Sequence, residues 1–549
     1  MTEQKTPFVR KEKNLRDMLL NAKKKYGERD LLRVRTPERT VRGIKADTFL
    51  HDMNALGNAL LEMGFADKKI ALIGPTSYEW LISYFAIVCG VGVVVPVDKE
   101  LQQDEIETIL RESGAQGIIF AEDYTDIMKN IAKSIPSLKH FISMNTCDTD
   151  FSVNLYDLIK RDAQCGYEQR EIDENAMSAL LFTSGTTGKS KGVMLSHASI
   201  ISASEGGLEY LTIGEVCLSV LPVHHSFECT HGIVMMIENG TTICINDSLR
   251  NFTDNLVLFQ PNAVFLVPLF IERLEFMVRK DAEKRGGIEK YEALLEQNRE
   301  ELAQGIDKRK EHFGYVRDMF GGHLDLLLCG GAPLSERLAR TFREMGIMLI
   351  NGYGITECSP LVAVNGNNAY RDGSVGRIIP CCEAKIVDAD ENGEGEILVR
   401  GSNVMLGYYE NDAATAEATC DGWFDTGDIG HIDEDGYLFI TGRKKNLIVL
   451  ANGKNIYPEE IEEYIRRKIR YIAEMVVYAP MTEGMDERKL CAEIYLGDVP
   501  ITDELRAQLD RDIAEVNRDL PTFKRIQRVH IRDNEFEKTT KKSIKRFKV

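Results

Sequence analysis

A nine-residue segment rich in glycine and hydroxyl groups separates two apolar stretches near residue 180. Residues 180–182 read Leu-Leu-Phe, which is typical of a buried strand, and residues 183–191 read Thr-Ser-Gly-Thr-Thr-Gly-Lys-Ser-Lys before the chain becomes apolar again. Glycine lets the main chain approach an anion closely, while hydroxyls, amides and lysines supply hydrogen bonds and positive charge. The order strand, loop, strand therefore predicts a phosphate-binding loop, although a plain surface turn also favours Ser, Thr and Gly.

The spacing of the glycines excludes the Walker phosphate loop. Gly185 and Gly188 have two residues between them, whereas that motif needs four. The candidate phosphate ligands of this segment are Thr183, Ser184, Gly185, Thr186, Thr187, Gly188, Lys189 and Lys191.

The composition is that of a soluble multidomain protein. A chain of 549 residues exceeds what one hydrophobic core usually supports, so we expect more than one domain. A net charge of −18 argues against non-specific nucleic-acid binding. The first 13 residues have no apolar centre, which argues against a signal peptide. The twelve cysteines form no Cys-x-x-Cys pair, so we expect a reduced, cytoplasmic chain without structural zinc or disulfides.

One uncharged stretch, Leu81 to Val97, approaches the length of a membrane span. Gly90, Gly92 and Pro96 interrupt it, and its valine-rich end is typical of a strand. A buried helix, a glycine turn and a parallel strand explain it better than a transmembrane segment. We therefore predict no transmembrane helix and leave peripheral membrane contact open.

The first 440 residues alternate short β-branched runs with helical segments, a pattern that predicts α/β layers around parallel sheets. The charge-rich segment 279–323 is predicted to be a solvated helical excursion. After Gly442 the pattern changes: Pro458 suits the first turn of a helix, strands are expected near 475–478 and 490–496, and a helix is expected after Thr502. These features predict a separate α+β unit of about a hundred residues.

The 183–191 loop resembles the phosphate loop of the adenylate-forming superfamily, which includes acyl-CoA synthetases, luciferases and peptide-synthetase adenylation domains. Four further segments between residues 222 and the 450s resemble that family's motifs in the same order. The resemblance implies an N-terminal AMP-binding domain over 1–441, a hinge at 442–445 and a mobile C-terminal lid domain over 446–549.

The segment 351–357, Asn-Gly-Tyr-Gly-Ile-Thr-Glu, resembles the family's next motif. The resemblance implies that Tyr353 stacks on adenine beside Gly354, that Thr356 contacts the ATP phosphates and that Glu357 helps to hold Mg²⁺. Oxygen ligands from a carboxylate and from ATP form a normal magnesium shell. Without its neighbours, Glu357 would be interpreted as a surface glutamate.

Two further segments resemble the family's adenosine site. Asp428 is implied to accept hydrogen bonds from the ribose hydroxyls with support from Arg443, although Asp, Thr and Gly at 425–428 also predict a turn. Residues 330–333, Gly-Gly-Ala-Pro, resemble the loop beside adenine, and an ordinary strand-to-helix turn is an equally good interpretation. That loop contributes Gly331, Ala332 and Pro333.

Residues 222–227, Pro-Val-His-His-Ser-Phe, resemble the motif between the phosphate loop and the acyl pocket. The resemblance places His225 beside the substrate carboxylate, and a packed core histidine is the alternative. Adjacent residues on an extended chain point in opposite directions, so we do not expect His224 and His225 to bind one metal ion.

The basic segment 538–549 resembles the family's C-terminal motif, whose lysine reaches the α-phosphate and the carboxylate. An ungapped alignment from Lys538 to Arg546 puts Ser543 at the lysine position, with Lys542 one place earlier. Three interpretations remain open: Lys542 acts after a local shift, adenylation is weak, or the lysine has been replaced. By the same resemblance, Lys445 is the hinge residue and Gly453 lies beside the pantetheine arm of coenzyme A.

Three functions follow from these features. The first is activation of a medium- to long-chain fatty acid by ATP and Mg²⁺, followed by transfer to coenzyme A, because long-chain ligases have a comparable helical segment before Gly-Gly-Ala-Pro. The second transfers the acyl group to a carrier protein. The third is a nucleotide- or acyl-binding protein with impaired catalysis, which is motivated by Ser543.

Overall fold

The computed structural model describes residues 8–145, 150–183, 190–449, 455–480, 489–497, 499–538, 544 and 546. The chain divides into two compact units, Met1–Glu383 with Val399–Phe424, and Ala384–Leu398 with Asp425–Val549. The large unit contains the layered α/β architecture that the sequence predicts. The domain boundary expected at 442–445 stays a prediction.

A nine-stranded sheet forms one layer of the large unit. Its six central strands, from Met348–Gly354 to Asp30–Arg35, are parallel, and the strands at its two edges are antiparallel. Its strands are, in spatial order, Arg377–Ile378, Leu361–Val364, Met348–Gly354, Leu326–Cys329, Ala263–Leu266, Val216–Ser219, Thr242–Ile245, Asp30–Arg35 and Val41–Lys45.

An eight-stranded sheet forms a second layer. Strand Met177–Thr183 runs parallel to the strand Val93–Val97, whereas Lys191–Ser196 returns antiparallel to it. The strands are, in spatial order, Gly407–Tyr408, Lys191–Ser196, Met177–Thr183, Val93–Val97, Lys69–Ile73, Gly117–Phe120, His140–Ser143 and Val153–Asn154. Several central strands are buried along most of their length, as expected for parallel strands covered on both faces.

The helices of the large unit connect the strands of both sheets. Its α-helices are Leu15–Tyr26, Ala46–Glu62, Tyr78–Ala86, Gln103–Ser113, Thr125–Ser134, Leu155–Lys160, His197–Leu208, Met236–Asn239, Phe252–Phe259, Pro268–Gly286, Ile288–Ala303, Arg309–Met319, Glu336–Glu344 and Asp412–Ala418. Two π-helical stretches, Ile87–Val91 and Phe227–Met235, continue neighbouring helices.

The uncharged stretch 81–97 belongs to the core, as predicted. Helix Tyr78–Ala86 passes into the π-helical turn Ile87–Val91, and the buried strand Val93–Val97 follows Gly92. Among the described residues, no helix is both long enough and apolar enough to cross a membrane.

The segment 279–323 is helical, as predicted, but only one side of it is solvated. Tyr291, Leu295, Phe313 and Val316 are buried in the same cluster as the strand residues Val264 and Leu327. The sparse apolar residues of this segment are therefore sufficient to attach it to the core of the large unit.

The second unit contains the predicted α+β arrangement. Helices Pro458–Lys468 and Asp503–Asp519 bury Ile461, Ile465, Leu509 and Ile513 against a three-stranded sheet. The second helix starts after Thr502 as expected, and the Thr502 side chain caps it. That sheet consists of Glu474–Tyr478, Cys491–Tyr495 and Arg528–Arg532, and a two-stranded one consists of Ile448–Val449 and Asn455–Ile456.

One more sheet has five strands. Its order is Cys382–Val387, Gly395–Gly401, Trp423–Ile432 and Thr419–Cys420, with Leu438–Arg443 also paired to Trp423–Ile432. The hairpin 423–443 carries the predicted ribose-binding residues.

Candidate functional site

The glycine-rich loop starts and ends on two paired strands, as the sequence predicts. Thr183 is the last residue of Met177–Thr183, Lys191 is the first of Lys191–Ser196, and the two residues pair across the antiparallel ladder. The Thr183 hydroxyl donates to the Lys191 carbonyl oxygen at 3.5 Å. Residues 184–189 lie outside the described residues, so their phosphate contacts stay a prediction.

Tyr408 connects this hairpin to the 351–357 segment. The Lys191 Nζ lies 4.7 Å from the centroid of the Tyr408 ring, and the Tyr408 hydroxyl donates to Oε1 of Glu357 at 3.0 Å. Burial, followed by the proximity of this carboxylate, raises the pKa of Tyr408 well above its ordinary value. Two motifs that are distant in sequence therefore meet through a buried residue that sequence reasoning missed.

The carboxyl ends of the parallel strands bring the remaining motifs of the large unit to one edge of the nine-stranded sheet. Strands ending at Ser219, Cys329 and Gly354 lead into the segments 222–227, 330–333 and 355–357. In open α/β sheets, ligands bind at this edge. The arrangement therefore assembles the predicted candidates of three motifs at one place.

Direct contacts join these three segments. The hydroxyls of Ser226 and Thr356 are 3.5 Å apart. A Cβ atom on Gly330 would lie 3.0 Å from the ring of Phe227, so the loop 330–333 approaches the 222–227 segment closely. Within that loop, Gly331 and Pro333 are exposed and Ala332 is half-buried.

Gly354 is required by its backbone environment. A Cβ atom at this position would lie 2.0 Å from the carbonyl oxygen of Pro360, which no side chain tolerates. The neighbouring Tyr353 is half-buried at the end of strand Met348–Gly354, and Thr356 and Glu357 form a short 3₁₀ turn directly after it. The close approach of 354 and 360 therefore fixes the direction in which the motif leaves the sheet.

His224 and His225 lie together, which contradicts the expectation that they point in opposite directions. That expectation assumed an extended chain, but the His225 amide donates to the Pro222 carbonyl oxygen at 3.1 Å and closes a turn. The two ring centroids are 4.3 Å apart. A turn places consecutive side chains on neighbouring faces, so both imidazoles reach the same region.

Asp98 completes this region and was missed in the sequence. It follows strand Val93–Val97, and its Oδ1 lies 3.1 Å from Nε2 of His224. Burial alone would raise the pKa of Asp98, but the adjacent His224 outweighs it and holds that pKa well below its ordinary value. The only sequence signal was its position directly after a buried strand, which many residues share.

In the second unit, Asp428 and Arg443 form an ion pair across the hairpin. Arg443 Nε lies 2.7 Å from Oδ1 of Asp428, whose side chain is 3% exposed. The two residues are register partners, and the Asp428 amide donates to the Thr426 hydroxyl at 3.1 Å. The Gly427 amide donates to Oδ1 of Asp425 at 2.8 Å, but residues 425–428 belong to the strand Trp423–Ile432, so the alternative interpretation of this segment as a turn is wrong and the strand carries the buried carboxylate.

The predicted hinge lies in a single 3₁₀ turn, Lys444–Asn446. Lys444 contacts Glu396 at 2.7 Å and Asp425 at 3.4 Å, whereas Lys445 is exposed. The contacts of Lys444 and the exposure of Lys445 do not test a hinge, so the hinge role of Lys445 stays a prediction.

The chain end is described only in part. Arg546 forms an ion pair with Glu462 and lies 3.6 Å from Glu459, and Lys538 pairs with Glu474. Gly453, Lys542 and Ser543 lie outside the described residues, so the roles implied for them are not tested.

The family models match most of the chain. Residues 46–409 match the model of the AMP-binding enzyme family, and residues 445–549 match that of the AMP-binding enzyme C-terminal domain.

Curated relatives include long-chain-fatty-acid–CoA ligases from bacteria and mammals. The ligase FadD15 of Mycobacterium tuberculosis is 28% identical over 534 residues, covering 89% of this chain and 86% of the relative. A long-chain-fatty-acid–CoA ligase of Salmonella typhimurium is 31% identical over 449 residues, covering 74% of this chain and 73% of the relative.

Solved structures share the fold at lower identity. The anthranilate CoA ligase AuaEII with anthranoyl-AMP is 21% identical, with a TM-score of 0.77 over 97% of this chain and 96% of the other. The o-succinylbenzoate CoA synthetase of Bacillus subtilis with ATP and magnesium is 20% identical, with a TM-score of 0.73 over 96% and 98%.

Proposed function

This chain belongs to the AMP-binding enzyme family, and we propose that it activates a carboxylic acid with ATP and then transfers the acyl group to coenzyme A. One observation carries the proposal: Lys191, Tyr408 and Glu357 form a continuous contact from the glycine-rich hairpin to the 351–357 segment. This contact places a cation and a carboxylate at one site, which suits a nucleotide with a divalent cation.

The first step needs no general base, because a carboxylic acid is already ionised at neutral pH. Its oxygen attacks the α-phosphorus of ATP, an acyl–phosphate bond forms, and the bond to the pyrophosphate leaving group breaks. The obstacle is the crowding of negative charge, which positively charged groups and hydrogen-bond donors reduce. We assign this task to Thr183, Lys191 and the loop between them, together with the Thr356 hydroxyl.

Glu357 fits a magnesium ligand by its chemistry and position. It is a half-buried carboxylate, and the Tyr408 hydroxyl orients it through Oε1. Hard cations prefer such oxygen donors. When bound, Mg²⁺ neutralises charge on the phosphates.

The adenosine part of ATP is assigned to residues of the segments 330–333, 351–357 and 425–428. Tyr353 and the loop 330–333 flank adenine, and Asp428 accepts the ribose hydroxyls. The Asp428 carboxylate is suited to this role because Arg443 holds it in place across the hairpin. His225, which lies in the turn beside Phe227, is assigned to the substrate carboxylate.

The second step requires a thiol to reach the acyl-AMP. We propose that residues 446–549 move relative to residues 1–441 about Lys445, and that Gly453 leaves room for the pantetheine arm. Lys542 is proposed to act in the first step and to withdraw before the second. A few hinge residues are sufficient for domain motions of this kind.

The acid is proposed to be a medium- to long-chain fatty acid. The names of the curated relatives support this assignment, as do the three helices between 268 and 319 that precede the loop 330–333. The solved structures share only the fold, and the names of these enzymes specify other acids.

Pyrophosphate release from ATP, measured with acids of 8 to 18 carbons with and without coenzyme A, tests this proposal. We expect acid-dependent release, with acyl-CoA and AMP formed only when coenzyme A is present. Release without any acyl-CoA, but with loading of a phosphopantetheine carrier protein, would favour the carrier as acceptor. ATP binding without release by any acid would contradict the enzymatic function.

A further inference from the structure

A cluster of three metal-ligating side chains lies beside the proposed acyl site. Asp98, His224 and His225 each offer one ligand atom, and these atoms lie within 4.8 Å of one another. Asp98 follows a strand of the eight-stranded sheet, and the two histidines form a turn after a strand of the nine-stranded sheet. The cluster is separate from Glu357, to which the magnesium role was assigned.

The His224 imidazole has unused ligand capacity. Its side chain is only 4% exposed, yet neither ring nitrogen forms a hydrogen bond with any residue that the structure describes. Buried polar groups usually have a partner. The 3.1 Å separation of Nε2 and the Asp98 carboxylate is an ion-pair distance, but its geometry is not that of a hydrogen bond. A buried imidazole facing a carboxylate without a hydrogen bond is the arrangement expected around a cation that is shared by both.

We propose that Asp98, His224 and His225 form a binding site for a zinc-type transition-metal ion. Two imidazoles and one carboxylate are a common donor set for Zn²⁺, and three protein ligands leave one coordination position for a further ligand. Ligands at the usual bond lengths around a tetrahedral zinc ion are about 3.3 Å apart. The Asp98–His224 distance already meets this value, and metal binding requires the His225 ligand atom, which lies within 4.8 Å of the other two, to move closer to them.

Occupancy of this site would block adenylation, since the metal would hold His225 and offer its open position to the acyl carboxylate. The carboxylate would then be held on the metal instead of being free to attack the α-phosphorus. This inhibitory role depends on the proposed function, whereas the binding of the metal does not. The two parts are therefore measured separately.

Metal binding is tested by calorimetric titration of Zn²⁺ into the untagged, metal-free protein without nucleotide. Cys165 and Cys420 are exposed thiols that compete for zinc, so the titration uses a variant with both replaced by serine. We expect one zinc ion per chain, and Co²⁺ in its place should show the visible absorption of a four-coordinate ion. His224→Gln and Asp98→Asn should each weaken binding at least about tenfold.

The matched control is His530→Gln, because His530 is exposed on the strand Arg528–Arg532 of the other unit. Circular dichroism and melting temperature show whether each variant remains folded. Equal zinc affinity in the parent, His224→Gln and Asp98→Asn would overturn the site, as would the absence of binding at millimolar zinc.

The inhibitory role is tested by pyrophosphate release at increasing zinc and acid concentrations. We expect zinc to lower the maximal rate of release without changing the affinity for ATP, and excess acid should not relieve the inhibition, because the blocked complex itself contains the acid. Asp98→Asn should need at least about tenfold more zinc for the same effect. Inhibition that depends on ATP rather than on acid concentration would contradict this role. In that case the calorimetric result still decides whether the metal site exists.

Discussion

The hydroxyl of Tyr408 donates a hydrogen bond to the carboxylate of Glu357 at 3.0 Å, while the face of the same ring contacts Lys191. One side chain thus contacts both a cation that the proposed mechanism assigns to the ATP phosphates and a carboxylate that it assigns to the magnesium ion. Loss of the hydroxyl should affect the carboxylate alone, because a phenylalanine ring preserves the contact with the lysine.

We expect Tyr408→Phe to reduce adenylation about tenfold or more, because a hydrogen bond to a charged group is worth about 1.5–3 kcal/mol. The measurement is pyrophosphate release at varied magnesium concentration, and the variant should need more magnesium to reach half its maximal rate. Tyr409→Phe is the matched control, since the hydroxyl of Tyr409 accepts a hydrogen bond from Lys69 at 2.8 Å. Equal losses in the two variants would show that Tyr408 has no special role.

The buried position of Asp428 leads to a prediction about the ribose. In the parent protein, 2′-deoxy-ATP should bind more weakly than ATP, because the charged carboxylate loses one hydroxyl partner. Asp428→Asn removes the charge. The ratio of the KM for 2′-deoxy-ATP to the KM for ATP should therefore decrease, while the KM for ATP itself rises about tenfold.

The control for the ribose prediction is Asp433→Asn in the same hairpin, where the side chain accepts the amides of Asp435 and Tyr437 in a turn. An asparagine oxygen accepts the same two bonds, so this variant should discriminate between the nucleotides as the parent does. If Asp428→Asn also keeps the full discrimination, the ribose is bound elsewhere.

The sequence predicted local elements well because short-range chemistry determines them. The helix start after Thr502, the first-turn proline at 458 and the hairpin around the glycine-rich loop depend on residues within a few positions of one another. The contributions of Asp98 and Tyr408 were not predictable in this way. Each depends on which strands become neighbours in a sheet, and one sequence does not reveal that order.

The two histidines illustrate the same limitation at short range. Residue order alone does not distinguish an extended segment from a turn, and the direction of each imidazole depends on that choice. The hydrogen bond from the His225 amide to the Pro222 carbonyl oxygen closes a turn and thereby sets the directions of both imidazoles.

Glu228 should make stability depend on pH. Burial raises the pKa of this carboxyl to about 8, although the Ser219 hydroxyl, which donates to it, opposes the shift. The folded chain therefore keeps a proton that the unfolded chain loses near its ordinary pKa of 4.5. The stabilising contribution of the neutral group is complete below about pH 4.5 and decreases until the pH passes about 8.

Glu228→Gln keeps the shape of the side chain and removes the titration. Relative to the parent, the melting temperature of this variant should increase progressively between pH 5 and pH 8, as measured by scanning fluorimetry. Glu209→Gln, at an exposed position, should give a difference that does not change over this range. A constant difference for Glu228→Gln as well would show that Glu228 is ionised in the folded protein at neutral pH.

The basic segment at the chain end gives a prediction that separates the two half-reactions. If Lys542 replaces the lysine expected at Ser543, Lys542→Ala should reduce pyrophosphate release about a hundredfold, because a cation near the α-phosphate stabilises the developing charge. Thioester formation from supplied acyl-AMP and coenzyme A should be nearly unchanged, since that step needs no such cation. Lys545→Ala is the control, because the resemblance to the family's C-terminal motif implies no role for this residue. Ser543→Lys tests the alternative directly: if it accelerates adenylation while Lys542→Ala has no effect, the natural chain lacks this lysine and adenylates weakly for that reason.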